Sequence, residues 1–511
     1  MNMKKIILKI AVLIGVVTLL SLSVASCSQK DPIPGDSDDN EQTGGDKPGE
    51  NPGENPGENP GDEEYGKLTG DEKVKAFFVN RIADGDWSYS DDKTVEKESV
   101  EEVRNAVWKL WKSANLTYQD EEKLPSLPVL GSSKDVFSWV IPKALEGEYI
   151  NGSFTGNDSK MTFHWGKSGD KPGGGYPVFI YLHGSGGASS EWNTGYSLCK
   201  KWGGMVSGIY FDPLIPNGVT ESSGFSLYRW WQKGKQYIWN RLIRQLYIST
   251  YANPDRLFFI GISEGAYGSA RLSTFYADYL AGIGPIAGGE PLNTAPVENS
   301  ANIAYCLRTG SLDDSYGRNV ITQYTGEALD ALEKEHPGYY EHWVYVEPGA
   351  SHTSVDYDQA VPWLKDKVRK PYPKYVNWER LDQDGIYREG FYNLFIPDSG
   401  RPADRRKYEM TITGNTVDIN VVTVKYTAIE WGEKHGNCVK YQKDYTKVSG
   451  GKIRIYLCDE LVDLDQAVVV KVNGIEVFNG KLERRYETVV NSCAIYFDPS
   501  RLYTSSVEVD Y

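Results

Sequence analysis

The pattern of apolar and polar positions divides the chain into three parts, and the middle part is the most informative. Between residues 150 and 375 the chain carries short continuous apolar runs, each followed by a glycine-bearing loop and a segment of helix length. These runs are PVFIYLHG, MVSGIYFDPLIP, RLFFIGIS, IAYCLRTG and HWVYVEPG. Continuous apolar strands separated by helices predict a largely parallel sheet covered on both faces, and therefore an α/β domain over residues 150–375.

The flanking segments have different periods. From 66 to 149, the stretches DEKVKAFFVNRI and VEEVRNAVWKLWKSAN repeat apolar residues three and four apart, which predicts a helical extension packed on the α/β domain. From 376 to 511, alternating runs such as MTITG, KIRIYL and AVVVKV, with turn signals at Asn473-Gly474 and Asn479-Gly480, predict a small antiparallel β-sandwich.

The N-terminus is typical of an exported protein. Residues 1–26 place lysines ahead of a long apolar run that ends in Val24-Ala25-Ser26 before Cys27, which resembles a bacterial lipoprotein signal with Cys27 as the lipidation site. Residues 27–65 repeat an ENPG unit and hold almost nothing apolar, so we expect an acidic, disordered tether. The sequence therefore predicts a lipoprotein anchored in a membrane, outward-facing on the outer membrane.

The net charge of −15 is concentrated near the N-terminus. The tether holds twelve acidic and two basic residues and the first 26 residues hold three lysines, which leaves −8 on residues 66–511. A mildly acidic body without a basic patch excludes nucleic acid as an expected partner. Nothing in the sequence sets an oligomeric state.

Five cysteines follow Cys27, at positions 199, 306, 438, 458 and 493. They form no CxxC pair and no spacing typical of a metal site, so we expect no metal and mostly buried thiols. Export permits a disulfide among Cys438, Cys458 and Cys493, whose connectivity the sequence leaves open.

A GxSxG motif lies at Gly261-Ile262-Ser263-Glu264-Gly265, after the apolar strand RLFFI and before the helical segment AYGSARLSTFYADYL. Strand, sharp turn and helix form the context of a nucleophile elbow, in which small residues flank a strained serine. We therefore predict Ser263 as a nucleophile. The motif alone also arises by chance in a glycine-rich chain, so its context carries the prediction.

A glycine-rich loop, His183-Gly184-Ser185-Gly186-Gly187, follows the strand PVFIYL. We predict an oxyanion hole formed by a backbone N–H of this loop, at Ser185, and by the N–H of Glu264, the residue after the nucleophile. A plain glycine turn is the alternative, and His183 is expected to be structural.

Two further loops complete the predicted constellation. Asp313 lies three residues after Gly310 at the end of one apolar strand, and His352 lies in the loop after the next strand. Serine, acid and histidine in this order are expected of an α/β-hydrolase triad. Asp314 is the alternative acid, since only its position separates it from Asp313.

Residues from about 150 to 378 resemble α/β-hydrolase esterases, in particular bacterial poly(hydroxybutyrate) depolymerase-like and feruloyl or acetyl xylan esterase-like enzymes. The resemblance rests on GYPVFIYLHGSGG, ANPDRLFFIGISEGAYGS, TGSLDDSYGRN and PGASHTSVDYDQAVPWLKDKVRKPYPKYVNW. It implies acyl transfer through Ser263, His352 and Asp313 without a metal or organic cofactor. Unlike many relatives, the chain has no further glycine directly after GxSxG, and its segment 218–245 is unusually aromatic.

The aromatic residues Trp192, Trp230 and Trp231 are candidates for substrate binding, with core packing as the alternative for each. By analogy with the resembling enzymes, we expect acetyl or feruloyl and other aryl esters on oligosaccharides or polysaccharides as substrates. A serine peptidase of the same fold and a catalytically inactive glycan-binding lipoprotein are the alternative functions.

Overall fold

A computed structural model describes residues 65–118, 123–142, 160–215, 219–220, 226–227, 230–397 and 404–511. The predicted signal segment, the lipidation site Cys27 and nearly all of the predicted tether lie outside the described residues, so these remain predictions. Among the described helices, none combines the length and apolar character needed to cross a bilayer.

The elements follow one another in a simple order. The helices are α1 (Gly70–Ile82), α2 (Val100–Thr117), α3 (Ala188–Gly203), α4 (Lys233–Ile248), α5 (Glu264–Tyr276), α6 (Arg318–Glu335), α7 (Ala360–Leu364) and α8 (Tyr486–Tyr496). The strands are β1 (Val136–Val140), β2 (Lys160–Ser168), β3 (Tyr176–Leu182), β4 (Gly208–Leu214), β5 (Val219–Thr220), β6 (Ser226–Leu227), β7 (Ala252–Ile262), β8 (Gly282–Ile286), β9 (Ala304–Gly310), β10 (His342–Glu347), β11 (Tyr375–Arg380), β12 (Gly390–Phe391), β13 (Leu394–Phe395), β14 (Arg406–Thr413), β15 (Thr416–Trp431), β16 (Cys438–Lys447), β17 (Lys452–Leu457), β18 (Val468–Val472), β19 (Ile475–Gly480) and β20 (Ser505–Asp510).

The central sheet has eight strands in the order β1-β2-β4-β3-β7-β8-β9-β10. The pairs β1–β2 and β2–β4 are antiparallel, and the strands from β4 to β10 are parallel. All residues of β3, β8 and β9 are buried, because helices cover both faces of the sheet. The predicted parallel-rich α/β sheet is therefore confirmed.

The predicted helical extension, residues 66–149, is only partly helical. Helices α1 and α2 form where the periodicity placed them, but β1 adds an antiparallel strand to the central sheet. Phe137 and Trp139 alternate along β1, and the Phe137 ring stacks on Phe163 with centroids 5.0 Å apart. The alternating run VFSWV thus forms an edge strand that packs its aromatic residues against the sheet. A run of five residues is too short for its alternation to predict a strand in a segment dominated by two long helices.

Helices α1 and α2 pack chiefly against α8, near the C-terminus of the chain. Phe78 and Trp111 meet edge to face at 5.1 Å in a core that also contains Val489 and Cys493 of α8. The prediction placed these helices on the α/β domain. The structure corrects this, because their apolar faces are covered by a helix that belongs to the C-terminal part of the chain.

The C-terminal part contains two sheets. One has the order β11-β14-β15-β18-β19 with β16 paired to β15, and the other has the order β12-β13-β17-β20. Their pairs are antiparallel except that β15 and β18 are parallel, which corrects the purely antiparallel prediction. Asn473 and Gly474 turn between β18 and β19 with φ values of 51° and 83°, as expected for an Asn-Gly hairpin, whereas Gly480 ends β19. The β-sandwich arrangement stays a prediction.

The five described cysteines are free, and all but Cys438 are buried. Burial raises the pKa of the Cys199, Cys458 and Cys493 thiols well above the usual range. These cysteines therefore behave as small apolar core residues.

A buried ion network joins the α/β domain to the C-terminal part. Asp498 binds Arg369 and Arg501, and Asp278 binds Arg501 and Arg388. The side chains of Asp278, Asp498, Arg369 and Arg501 have no exposed surface. Burial alone would raise the pKa of Asp498, but the charges of Arg369 and Arg501 hold it below its usual range.

We expect Asp498→Asn to destabilise the protein strongly, because two buried guanidinium groups lose their shared carboxylate. The loss in the free energy of unfolding at pH 7 should be about 3 to 5 kcal/mol. Because the pKa of Asp498 is lowered, its stabilisation is present at neutral pH and is lost as the pH falls toward that pKa. The difference in unfolding free energy between the wild type and Asp498→Asn should therefore become smaller in acid. Urea unfolding at several pH values measures both effects. The exposed Asp418→Asn is the control, and an equal stability of all three proteins would contradict the expectation.

Candidate functional site

Ser263 occupies a sharp turn between β7 and α5. Its backbone has φ 57° and ψ −116°, a strained conformation for a residue with a side chain. The turn requires glycine on both sides: a Cβ atom at Gly261 would lie 1.9 Å from the Gly265 carbonyl oxygen, and one at Gly265 would lie 1.9 Å from the Leu182 carbonyl oxygen. The Ser263 N–H donates to the Ile286 carbonyl at 3.0 Å. The backbone thus holds the serine at the carboxyl end of the sheet.

Three side chains from three loops meet at this turn. His352 Nε2 lies 3.0 Å from Ser263 Oγ, and His352 Nδ1 lies 2.7 Å from Asp313 Oδ2. The Asp313 side chain is almost fully buried, whereas that of His352 keeps 19% of its surface exposed. The structure therefore brings the predicted serine, histidine and acid together in one hydrogen-bonded chain, with the histidine open toward solvent.

The loops that carry the acid and the histidine are bound to each other. The Leu312 N–H donates to the Ala350 carbonyl at 2.9 Å, and a Cβ atom at Gly310 would lie 2.2 Å from that same carbonyl oxygen. Tyr357 OH donates to the His352 carbonyl at 3.0 Å. Backbone contacts therefore join the loop that carries Asp313 to the loop that carries His352.

Arg318 and Tyr267 form a second layer behind Asp313. Arg318 Nη1 donates to Asp313 Oδ1 at 2.9 Å and Arg318 Nε lies 2.6 Å from Tyr267 OH. Burial opposes the charge of Arg318, yet Tyr267 and Asp313 keep its pKa above the usual range. The sequence analysis missed both residues, since an arginine five positions after an acid carries no signal until the fold buries the pair.

Asp313 and Asp314 have separate surroundings. Asp314 has half of its side chain exposed and pairs with Lys434 at 2.6 Å. The geometry therefore favours Asp313 over the alternative Asp314 as the acid of the group.

The glycine-rich loop 183–187 lies against the serine. A Cβ atom at Gly184 would lie 3.3 Å from the Ser263 Cβ atom and 3.1 Å from Glu191 Oε2, so the loop packs tightly against both residues. Ser185 is half-buried in this loop. Glu264 is the first residue of α5, so its backbone N–H directly follows the turn at Ser263. Both predicted oxyanion donors therefore belong to segments that border Ser263.

His183, in the glycine-rich loop, and Glu191, beside it, are two titratable residues without a predicted catalytic role. His183 is fully buried with Nδ1 2.8 Å from the Gly184 carbonyl oxygen, and burial lowers its pKa to about 4, so its ring is neutral at pH 7. Burial raises the pKa of Glu191, although the Gly184 backbone opposes the shift. His183 is thus structural, as predicted, and Glu191 shapes the loop by filling the space beside its glycines.

The three candidate tryptophans have different environments. Trp192 is half-buried, donates from Nε1 to the Asp212 carbonyl at 2.8 Å and stacks on His164 at 4.1 Å. Trp230 has no exposed surface, because its ring packs against Gly268 and its Nε1 donates to the His183 carbonyl at 3.1 Å. Trp230 is therefore in the core, the alternative that the sequence left open, and its ring packs beneath the glycine-rich loop.

Trp231 is 8% exposed and lies under the Arg271 guanidinium at 4.0 Å. It lines a cavity of about 420 Å³ between the α/β domain and the C-terminal part, together with Arg271, Tyr387 and Asp404. Of the other aromatic residues in segment 218–245, Trp239 is fully buried. Tyr228 lies outside the described residues.

One group of possible metal ligands occurs among the described residues. Asp330, Glu333 and His342 place one ligand atom each within 4.8 Å of one another. Both ring nitrogens of His342 already have partners, Nδ1 at the Tyr340 carbonyl oxygen and Nε2 at Asp330. Hydrogen bonds at the surface account for this group.

No protein-family model matches the sequence, and no curated protein matches it. Part of the chain is similar in structure to a thermostable esterase, with 16% identity, a TM-score of 0.33, and coverage of 46% of this chain and 64% of that one. It is also similar to a ferulic acid esterase, with 14% identity, a TM-score of 0.29, and coverage of 45% and 97%. A Bacillus cereus carboxylesterase gives 16% identity, a TM-score of 0.30, and coverage of 40% and 93%. Likenesses this distant assign no function to the chain.

We expect Gly265→Ala to prevent the turn at Ser263 from forming, because the added methyl group meets the Leu182 carbonyl, which is part of the central sheet. The loss in the free energy of unfolding should be about 3 kcal/mol, comparable to other overpacked cores. Gly187→Ala is the matched control, since a Cβ atom there meets nothing within 4 Å. Thermal unfolding of both variants measures the difference, and two equal midpoints would show that the turn tolerates a side chain.

Proposed function

We propose that the protein is a serine carboxylesterase whose catalytic residues are Ser263, His352 and Asp313. The observation that carries the proposal is the continuous hydrogen-bonded chain from Ser263 Oγ through both ring nitrogens of His352 to the buried Asp313. A serine on a strained turn, a histidine within proton-transfer distance and an orienting acid together form an activated nucleophile.

The proposed reaction proceeds in two acyl transfers. Ser263 Oγ attacks the ester carbonyl carbon while His352 Nε2 takes its proton, and the imidazolium then returns that proton to the departing alcohol. Water attacks the acyl-serine with His352 again as base, and Ser263 recovers its proton as the acid product leaves. The two steps consume one ester and one water, release one alcohol and one carboxylic acid, and return Ser263 and His352 to their starting states.

Asp313 supports the histidine in two ways. Its Oδ2 accepts from Nδ1, which leaves Nε2 as the basic nitrogen facing the serine, and its charge stabilises the imidazolium. Arg318 holds the other carboxylate oxygen, so Asp313 stays in one orientation while the histidine is charged and discharged.

The negative charge on the carbonyl oxygen needs preorganised donors. We propose the N–H groups of Glu264 and Ser185 for this role. The first-turn position of Glu264 and the close packing of Gly184 on Ser263 support the proposal. Each donor of this kind lowers the barrier by roughly 3 kcal/mol.

We further propose acetyl or feruloyl and other aryl esters of carbohydrates as substrates, acted on by an enzyme tethered through Cys27. Trp192 follows the glycine-rich loop and keeps part of its surface exposed, which supports a role beside an acyl or sugar ring. Among the described residues, no specific contact favours either alternative function, a serine peptidase or an inactive glycan-binding protein.

Ser263→Ala should abolish hydrolysis, because no other group at the turn can form the acyl intermediate. We expect kcat to fall by at least about 10⁴-fold. The measurement compares the purified wild type and variant on p-nitrophenyl acetate and on acetylated and feruloylated oligosaccharides, with a peptide aryl amide as the contrasting substrate.

A fluorophosphonate probe should label the wild type and leave the variant unlabelled. Full hydrolysis by Ser263→Ala would overturn the proposed function. Cleavage of the amide in preference to every ester would replace the esterase by a peptidase.

Asp313→Asn and Asp314→Asn form a matched pair of isosteric changes at neighbouring positions. The first removes the charge that orients His352, so kcat should fall by about 10²- to 10⁴-fold. The second breaks only an exposed ion pair, so kcat should stay within about threefold. Steady-state kinetics on p-nitrophenyl acetate measures kcat of both variants. A larger loss of kcat in Asp314→Asn than in Asp313→Asn would make Asp314 the acid.

A further inference from the structure

Strands β15 and β16 continue past the rest of their sheet. Strand β14 pairs with β15 from Thr416 to Thr423, whereas the pairing of β15 with β16 runs on to Trp431. Residues 424–431 and 438–445 therefore form a two-stranded arm, roughly 25 Å long at about 3.3 Å per residue. An isolated two-stranded ribbon is marginal in water, so the arm depends on what it rests upon.

The arm rests on α6 and on the turn before it. Tyr324 OH donates to Glu430 Oε2 at 2.7 Å, and Lys440 Nζ lies 4.1 Å from the centre of the Tyr324 ring. A Cβ atom at Gly317 would lie 2.5 Å from Val439 Cγ1, and Gly317 has φ +65°. The arm thus approaches the backbone of the α/β domain closely, four residues after Asp313.

The tip of the arm, residues 432–437, contacts the loop that supplies Asp313. The His435 ring stacks on Tyr316 at 4.1 Å with an angle of 18° between the planes. Asn437 Nδ2 donates to the Tyr316 carbonyl at 2.7 Å, and Lys434 pairs with Asp314. The tip therefore holds both the ring and the backbone of Tyr316.

Tyr316 requires such support. Its φ of 58° lies in the left-handed region, which a bulky side chain occupies only when its surroundings enforce it. The Arg318 guanidinium lies 5.1 Å from the centre of the Tyr316 ring, and Arg318 binds Asp313. A contiguous series of contacts thus leads from His435 through Tyr316 and Arg318 to Asp313.

We infer that the tip of the arm completes the catalytic site, with His435 and Asn437 as positioning residues that hold the Asp313 loop. The inference rests on the proposed function, since it gives Asp313 the orienting role. Without the tip, Tyr316 relaxes from its strained conformation, Arg318 follows, and the carboxylate moves relative to His352. The C-terminal part of the chain is then a component of the esterase site.

His435→Ala tests the inference in the full-length protein. His435 is exposed apart from its stacked face, so the variant should fold with an unchanged unfolding midpoint. We expect kcat on p-nitrophenyl acetate to fall about tenfold, as for a small displacement of a catalytic group. KM should change by less than about twofold, because the contact lies behind the acid and away from the ester.

A conservative variant separates positioning from mere structural support. His435→Phe keeps a ring that can stack on Tyr316 and should restore most of kcat. Asn437→Ala should resemble His435→Ala.

Thr427→Ala, on the exposed side of the arm, is the matched control and should equal the wild type. Wild-type kcat in both His435→Ala and Asn437→Ala, with Ser263→Ala inactive, would overturn the inference and leave the proposed function standing. Retained hydrolysis by Ser263→Ala would overturn the proposed function and the inference with it.

Discussion

Asp278 and Asp498 have no exposed surface, and each is held by two arginines that come from different segments of the chain. Charges removed from water persist only where every partner is in place, because one missing partner leaves an uncompensated charge in a medium of low polarity. Arg369 and Asp278 belong to the α/β domain, whereas Arg388, Asp498 and Arg501 belong to the C-terminal part. The network therefore joins the two parts of the chain through buried ion pairs, beside which their other contacts form.

Docking places the long β15–β16 hairpin along α6 and its tip on the Asp313 loop. At the other side of the site, strain at Ser263 is maintained by backbone contacts around Gly261 and Gly265 within the α/β domain. The nucleophile is thus built locally, by a strand, a turn and a helix. The acid is supported from outside the domain, through Tyr316 and Arg318. Under the proposed function, this division lets the C-terminal part affect the chemistry without approaching the ester.

Burial distinguishes the polar residues of the site from one another. Asp313 is buried but paired with Arg318 and His352, while Asp314, its neighbour in sequence, is half exposed and bound to Lys434. His183 is buried and neutral, and His352 keeps a solvent-exposed edge. Residues of the same type thereby take different roles, because their surroundings and not their chemistry differ.

The sequence by itself determined the parallel-rich sheet, the strand-turn-helix context of Ser263 and the loops in which Asp313 and His352 lie, because continuous apolar runs and glycine spacing are local signals. It favoured Asp313 over Asp314 by position alone, and it left open whether Trp230 binds substrate or packs in the core, where the structure places the ring. It also missed β1, the pairing of α1 and α2 with α8, and the roles of Arg318, Tyr316 and His435. These features arise from contacts between residues far apart in the chain, and only the tertiary structure decides which of many equivalent side chains become buried partners.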